Sequence, residues 1–323
     1  PTDIIYPYEA GYSVQKQNLN SDQVSGVDGM VRWNDRVSDF NYFVGVNLTL
    51  ARQKTINNYG EVFLNAWDQY RWAQTNRWSN VKNGAVWMWE TIGVFQTQEE
   101  IDNYPVNIDG ANNVNLRPGD LIFKDVNGDG LIDDYDKRPL GYAATDYDWD
   151  RGNANKNPLL SMGINLGFEY KGIDFAADFA GGFMNTFVGD WHVKYGIGTD
   201  QMGYVYNVID SWQHEDIFDT KSPWKRGKFP AVRSNNPSIR DWNDFYAKEI
   251  NYLRLRNLVV GYTLPIKWTK KALIQKLRVY FEGSNLLCWD SLNDFGFDPE
   301  ISSVTGFDYP QHKVYTVGVN VTF

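Results

Sequence analysis

Seven stretches of the chain alternate apolar and polar residues with a period of two. In the last of them, Lys313 to Phe323, Tyr315, Val317, Val319, Val321 and Phe323 fall on one parity. Thr316, Gly318, Asn320 and Thr322 fall on the other. Such a pattern sends the two sets to opposite faces of a strand. Val27, Gly29, Val31 and Trp33 begin the series, followed by a polar turn at Asp35 to Asp39 and the run Phe40, Tyr42, Val44, Val46, Leu48, Leu50. These two runs predict a long hairpin. Leu160 to Tyr170 and Ile173 to Phe179 predict a second hairpin, turning at Lys171-Gly172. Lys248 to Leu264 is a strand whose apolar parity flips: Leu253 and Leu255 are out of phase with Leu258, Val260 and Tyr262. A β-bulge near Asn257 restores one apolar face. A short, partly helical connection, Pro265 to Lys276, leads to the strand Leu277 to Gly283. Pro1 to Asn20 reads equally as a strand or an extended loop.

Between these strands the connections alternate in length. Asp35–Asp39, Lys171–Gly172 and Pro265–Lys276 are short, whereas 52–157, 184–246 and 288–311 are long. Up-and-down strands place alternate connections on opposite rims, and outer-membrane barrels keep short turns on the periplasmic rim and long loops outside. A strand of about 9–11 residues crosses a bilayer when tilted. The fold expected is therefore all-β, a transmembrane antiparallel β-barrel with long structured extracellular loops. Charges in the strands (Asp28, Arg32, Asp174, Asp178, Arg254, Arg256, Arg278, Glu282) lie on the polar parity, facing a wet lumen. Trp33, Tyr42, Tyr170, Tyr262, Tyr315 and Phe323 lie on the apolar parity near strand ends, where an aromatic girdle is expected.

Composition narrows this further. No apolar run is long enough for a helical span and mean hydropathy is −0.49, which leaves a barrel open because its strands are only half apolar. Thirteen Trp and 20 Tyr suit interfacial girdles or stacking platforms for sugars. A formal charge of −9 argues against a nucleic-acid partner. The single cysteine, Cys288, allows no internal disulfide. A start at Pro1 without Met is expected of a processed product or a fragment.

Within the long stretch 52–157, Glu61 to Gln74 reads as helical. Thr97 to Glu100 is a capping-box pattern opening a helix that stops before Pro105. Gly84 to Phe95 reads as a small hairpin edge. Asp125 to Asp136 is the sharpest chemical motif. Asp125, Asn127 and Asp129 sit at positions 1, 3 and 5 of a calcium-type loop, with Gly130 at the sharp turn and the Leu131 carbonyl at position 7. Asp133 and Asp136 take positions 9 and 12, where an EF-hand has Glu at the last. A structural calcium is the expected cofactor, and the competing reading is an acidic loop closed by Asx turns with no ion. Trp67, Trp72, Trp78, Trp87 and Trp89 cluster nearby with Arg71 and Arg77. They read first as the core that lets so long a loop fold, and otherwise as substrate-stacking platforms. His192, His214 and His312 lack metal-ligand spacing. No catalytic motif is present, so no catalytic residue is assigned and no enzyme activity is expected. The other reading kept open is a soluble calcium-containing carbohydrate-binding or glycan-cleaving β-protein.

Arg117-Pro-Gly-Asp-Leu-Ile-Phe-Lys-Asp-Val-Asn-Gly-Asp-Gly-Leu-Ile-Asp-Asp-Tyr-Asp136, Asn157-Pro-Leu-Leu, Gly163-Ile-Asn-Leu and Tyr170-Lys-Gly-Ile-Asp-Phe175 resemble the SusC-type (SusC/RagA) TonB-dependent transporters of Bacteroidota. So do Tyr252-Leu-Arg-Leu-Arg-Asn-Leu-Val-Val-Gly-Tyr262, Leu277 to Leu287, Asp298-Pro-Glu300 and the Phe-terminated last strand. The resemblance spans most of Ser25 to Phe323. It implies the C-terminal part, about seven or eight strands, of a 22-stranded barrel in a Gram-negative outer membrane, importing oligosaccharides or peptides. The implied partners are the remaining barrel and plug segments, a SusD-like surface lipoprotein lid, and TonB acting through a plug that residues 1–323 do not show. For Tyr315, Val317, Val319, Val321 and Phe323 the resemblance implies a barrel-assembly signal. Lys313–Phe323 is expected to have one strand neighbour, Leu277–Leu287, and an open edge.

Overall fold

The computed structural model describes residues 17–19, 21–57, 63–71, 85–142, 158–188, 210–231, 233, 236–239, 243–292, 298–300 and 311–323. In chain order the strands are β1 (Ser21–Val37), β2 (Phe40–Asn57), β3 (Ala85–Met88), β4 (Thr91–Val94), β5 (Leu121–Phe123), β6 (Arg138–Tyr142) and β7 (Leu160–Tyr170). They continue as β8 (Ile173–Val188), β9 (Gln213–His214), β10 (Trp224–Lys225), β11 (Ala247–Thr263), β12 (Lys276–Asp290) and β13 (Val314–Thr322). Seven of them form one sheet in the order β1-β2-β7-β8-β11-β12-β13, antiparallel throughout. This is the wall. It is open among the described residues, with β1 and β13 at its edges. Among the described residues β13 pairs with β12 alone, as expected. The doubtful strand before Asn20 lies almost wholly outside the described residues.

Register carries the apolar parity unbroken across the wall. Val37, Phe40, Tyr170, Ile173, Tyr262, Val279 and Val319 form one cross-strand row. Trp33, Val44, Leu166, Ala177, Leu258, Gly283 and Tyr315 form another. The bulge anticipated near Asn257 is present: the register of β11 shifts between Leu255 and Asn257 against both neighbours. Without it Leu253 and Leu255 would turn to the polar face, because one residue of slip inverts a strand. Along β2 the apolar series from Phe40 to Leu50 covers roughly 33 Å at ~3.3 Å per residue. At a tilt of about 40° that gives roughly 25 Å of height, the thickness of an outer-membrane apolar band.

All short turns lie at one end. Ser38 takes φ 60°, and Lys171 and Gly172 take φ 47° and 87°, the pair of positive values a two-residue hairpin needs. A helical turn, Ile266–Thr269, joins β11 to β12 at the same end. There the Gly172 carbonyl accepts the Thr263 N–H at 2.7 Å and the Thr322 carbonyl accepts the Gln275 N–H at 2.8 Å. Tyr170 and Tyr262 sit with Phe40 on the row nearest these turns. Trp33 and Tyr315 share a row four residues further along β1 from Val37, so they are not part of that belt. Trp33 looked terminal because Asp35 interrupts the alternation, yet β1 continues to Val37.

At the other end β1, β2, β8, β11 and β12 run to 15–18 residues, beyond the 9–11 a bilayer requires, and lead into the long loops. There a compact loop body carries the hydrophobic core: Trp89, Phe95, Ile101, Ile108, Leu116, Leu121, Ile122, Phe123, Ile132, Phe229 and Tyr246. None of these belongs to the wall. The helix Gln98–Asp102 is capped as its sequence predicts, with the Thr97 hydroxyl accepting the Glu100 N–H at 3.2 Å. Residues 66–71 are helical, within the expected segment. The expected hairpin over Gly84 to Phe95 is not formed: β3 pairs with β6, and β4 with β5. Both strands are too short to show a period, and each meets a partner supplied by chain beyond residue 120.

Candidate functional site

The loop body is stitched together from two loops far apart in sequence. Arg117-Pro118-Gly119-Asp120 makes a tight turn in which the Arg117 carbonyl accepts the Asp120 N–H at 3.0 Å and the Asp120 carboxylate accepts the Arg117 N–H at 2.7 Å. Gly119 has φ 94°, and a Cβ there would lie 2.5 Å from Cβ of Trp212, so both backbone and space demand glycine. Asp120 is fully buried and is neutralised by Arg233, whose two terminal nitrogens donate to it at 2.9 and 2.5 Å. The Leu121 N–H donates to the Ser238 hydroxyl at 2.8 Å, and the Thr91 N–H to the Asp244 carboxylate at 2.7 Å. Segments from the first and second long loops thus share one core above the wall.

The acidic loop Asp125–Asp136 lies on this body. Asp125 accepts N–H donors from Gly128 at 2.6 Å and Gly130 at 2.8 Å. Asn127 accepts the Asp129 N–H, and Asp129 the Leu131 N–H. Gly130, at the sixth position, has φ 81°, as a sharp turn requires. Asp133 caps a single 3₁₀ turn, Asp134–Asp136. Asp136 is fully buried, with its oxygens receiving the N–H groups of Val126, Asn127 and Asp133. The donor set fits calcium in kind. Its arrangement departs from an EF-hand at the last position, because Asp136 closes the loop on itself instead of presenting two free oxygens. Among the described residues no three acidic, histidine or cysteine side chains gather as a metal cluster.

Beside this loop stands an aromatic cluster. Trp67 stacks on Tyr70 with centroids 5.4 Å apart, meets Trp87 edge-on at 5.9 Å and Tyr135 at 5.3 Å. Arg138 lies over Trp67, and Arg71 over Trp87. Trp87 is buried, and Trp89 is a member of the core whose indole N–H donates to the Asp133 carbonyl at 2.7 Å. Trp67 is half-buried, while Tyr70 and Tyr135 are exposed. Trp67, Tyr70 and Tyr135 are therefore partly accessible to solvent, and Trp89 is not. Trp72 and Trp78 lie outside the described residues, as do Arg77 and His192. His214 packs on Trp224 at 4.0 Å, with Nδ1 2.7 Å from the Ser222 carbonyl, in the β9–β10 hairpin.

The polar face of the wall holds a second constellation. Arg254, nearly buried, reaches both oxygens of Asp298 at 2.6 Å, and its Nε lies 2.9 Å from Glu300. Arg256 pairs with Glu300 and lies 3.3 Å from Asn285 Oδ1 and 3.4 Å from Gln311 Oε1. Segment 298–300 is thereby tied to the inner surface of β11 beside the bulge. Nearer the turns, Arg278 of β12 grips Asp174 of β8 through two nitrogens at 2.9 and 2.5 Å. The pair passes over Gly261 of the intervening β11, where a Cβ would stand 2.5 Å from Asp174 Oδ1. Tyr315, Val317, Val319, Val321 and Phe323 are exposed on the opposite face of β13 or at its end.

With that geometry in hand, known proteins are informative. A TonB-dependent receptor of Formosa agariphila, P26, is 24% identical over 341 residues, covering 99% of this chain and 31% of its own length. Receptor P3 of the same organism is 27% identical over 64% of the chain and 19% of its own length. The chain is a homologue of TonB-dependent receptors. It spans between about a fifth and a third of the length of the curated relatives it matches. No family model matches it. The fold is that of a solved structure of the RagAB peptide transporter, with TM-score 0.59 and 21% identity over 99% of this chain and 31% of that one. The 'open-open' state of the RagAB peptide importer gives TM-score 0.60 at the same identity.

Sequence reasoning missed the Asp120–Arg233 clamp and the Arg254–Asp298 and Arg256–Glu300 pairs. Their members stand 113 and 44 residues apart in sequence. The available signal was indirect: the bulge at Asn257 presents Arg256 and Asn257 together to the polar side.

Proposed function

We propose that this chain is a wall segment, with its external loop body, of an outer-membrane TonB-dependent nutrient importer. The observation that carries the reading is the single apolar face running across seven up-and-down strands, with exposed side chains from Val31 on β1 to Val317 on β13, while the packed hydrophobic cluster lies in the loops at one end. Water does not sustain a face of that extent, and lipid does. Further strands of the same transporter complete a closed 22-stranded barrel against the edges of β1 and β13, and a plug coupled to TonB drives uptake. The soluble carbohydrate-binding reading requires this face to be covered by a second layer. The cargo is an oligosaccharide or a peptide, admitted under a SusD-like lipoprotein lid. The half-exposed Trp67, Tyr70 and Tyr135 offer stacking surfaces for a sugar, and the RagAB importers carry peptides.

In the intact protein, outer-membrane fractionation and an SDS-resistant band that shifts only on boiling test the reading. A water-soluble monomer without detergent contradicts it. A structural calcium in Asp125–Asp136 is part of the same proposal, supported by the side-chain oxygens of Asp125, Asn127 and Asp129 and the Leu131 carbonyl. Saturation at about a hundredfold above Kd stabilises a folded body by roughly 2.7 kcal/mol. Loop-body melting is therefore expected to rise with calcium and fall with chelator. Identical melts in both buffers leave only the Asx-closed loop.

A further inference from the structure

The connection between β11 and β12 departs from the rest of the chain in charge and in exposure. From Thr263 to Phe281 there is no Asp or Glu, although the protein as a whole carries a formal charge of −9. The same stretch holds Lys267, Lys270, Lys271 and Lys276, all exposed. Lys267, Lys270 and Lys271 make no ion pair among the described residues, whereas Lys276 acts electrostatically on Asp174. Interleaved with them, Ile266, Trp268 and Leu273 are 58%, 67% and 85% exposed.

Nor is the connection a slack loop. The Trp268 N–H donates to the Pro265 carbonyl at 2.9 Å, the Leu273 N–H to the Lys270 carbonyl at 3.1 Å, and the Ile274 N–H to the Thr269 carbonyl at 3.3 Å. Leu273 is held with φ 60°, a conformation that a bulky residue adopts at a cost and that is seen here on a side chain projecting into solvent. The turn follows directly on Tyr262 and precedes Val279, two members of the apolar row nearest the turn end. Lys171 of the adjoining β7–β8 turn stands at the same level, since the Thr263 N–H donates to the Gly172 carbonyl.

We propose that this turn docks on the anionic phospholipid surface of the leaflet facing the turn end of the wall. Trp268 and Leu273 enter the headgroup–acyl boundary, and Lys267, Lys270 and Lys271 engage lipid phosphates. An indole beside an aliphatic side chain and lysines with no acidic partner among the described residues, continuous with a lipid-facing band, matches an interface that is apolar on one side and negatively charged on the other. A soluble acidic protein would explain the lysines. It would leave unexplained why the apolar residues continue the wall's own band.

The inference rests on the barrel reading above. Its test is the intact transporter reconstituted in nanodiscs of phosphatidylethanolamine with and without phosphatidylglycerol, followed by native mass spectrometry of the lipids retained. At about 1 kcal/mol per surface lysine, wild type is expected to prefer phosphatidylglycerol over the variant K267Q/K270Q/K271Q by roughly ten- to hundredfold at low salt. Raising salt should erase the difference. Trp268→Ala keeps the charge and is expected to loosen retention of both lipids. Equal retention by wild type and the triple variant, or displacement of the lipid by inorganic phosphate alone, overturns the docking proposal while leaving the barrel intact. Failure of wild type to enter either nanodisc overturns both. If the triple variant does not assemble, the salt dependence of wild-type retention decides.

Discussion

The wall and the loop body use the same apolar residue types in opposite ways. In the loop body Phe95, Leu116 and Phe123 are fully buried, around a centre stitched by polar pairs such as buried Asp120 and part-buried Arg233. In the wall Val317 is 76% exposed and Val31 75%, with charges such as Asp174 and Arg278 paired on the reverse face. On the proposed reading, one chain folds against two solvents. The loop body has the organisation of a small domain in water, inside apolar and outside polar. The wall carries apolar side chains on an exposed face, the organisation expected of a strand against hydrocarbon. Aromatic content alone does not separate the two regions, since both are rich in it. What separates them is the period of the pattern and where the packing lies.

The comparison is broken most forcefully from the loop side. Phe123→Ala is expected to cost about 3–5 kcal/mol, the usual result of emptying a phenylalanine site in a water-facing core. Limited proteolysis should show residues 85–142 cut while the wall keeps its resistance to SDS. Loss of both together would mean that the regions are one cooperative unit.

Val317→Arg sharpens the wall side. Replacing a side chain already 76% exposed would cost next to nothing if water were outside. Against lipid near mid-span the cost is about 2–4 kcal/mol, read as a lower urea midpoint for the folded barrel. Thr316→Arg, one residue away on the polar parity, should stay within about 0.5 kcal/mol. Asp136→Ala comes next. It strands the N–H groups of Val126, Asn127 and Asp133, and leaving buried donors unpaired costs about 1–3 kcal/mol in loop-body melting.

The smallest effect is acid sensitivity at Asp109. Partial burial works against its charge, but N–H donors from Ala111, Asn113 and Asn115 outweigh this and hold its carboxyl below the usual range. A lowered folded value means that its stabilisation is complete above the unfolded value, near about 3.9, and is lost as pH falls through the lower folded one. Loop-body melting should be flat in this respect from neutral pH downward and decline only below about pH 4. Asp109→Asn should soften that decline.

Much of the wall was legible because a half-buried strand writes its two faces into sequence. Alternation located all seven strands, and the parity flip between Leu255 and Leu258 located the bulge. Strand ends were less legible. β2 continues through Arg52-Gln-Lys-Thr-Ile-Asn57, where polar residues appear on both parities, and β12 runs on through Cys288 to Asp290. The loop body was mostly hidden. Its strands are two to five residues long, too short for any period, and some of its ties join residues more than a hundred positions apart. The Trp cluster was found as a group. That Trp89 closes a core while Trp67 stacks beside exposed tyrosines depends on Phe123 and Tyr135, which no spacing rule brings to it.

The claim that the wall's apolar parity faces lipid is tested most directly on β13. Single cysteines introduced in turn from Tyr315 to Val321, in intact protein with Cys288 replaced by serine, can carry a nitroxide in a lipid bilayer. Collision with oxygen and with a water-soluble nickel chelate is then measured at each site. The account predicts a period of two, with oxygen dominating at Tyr315, Val317, Val319 and Val321 and the chelate at Thr316, Gly318 and Asn320. Equal access of the chelate to both sets would contradict it.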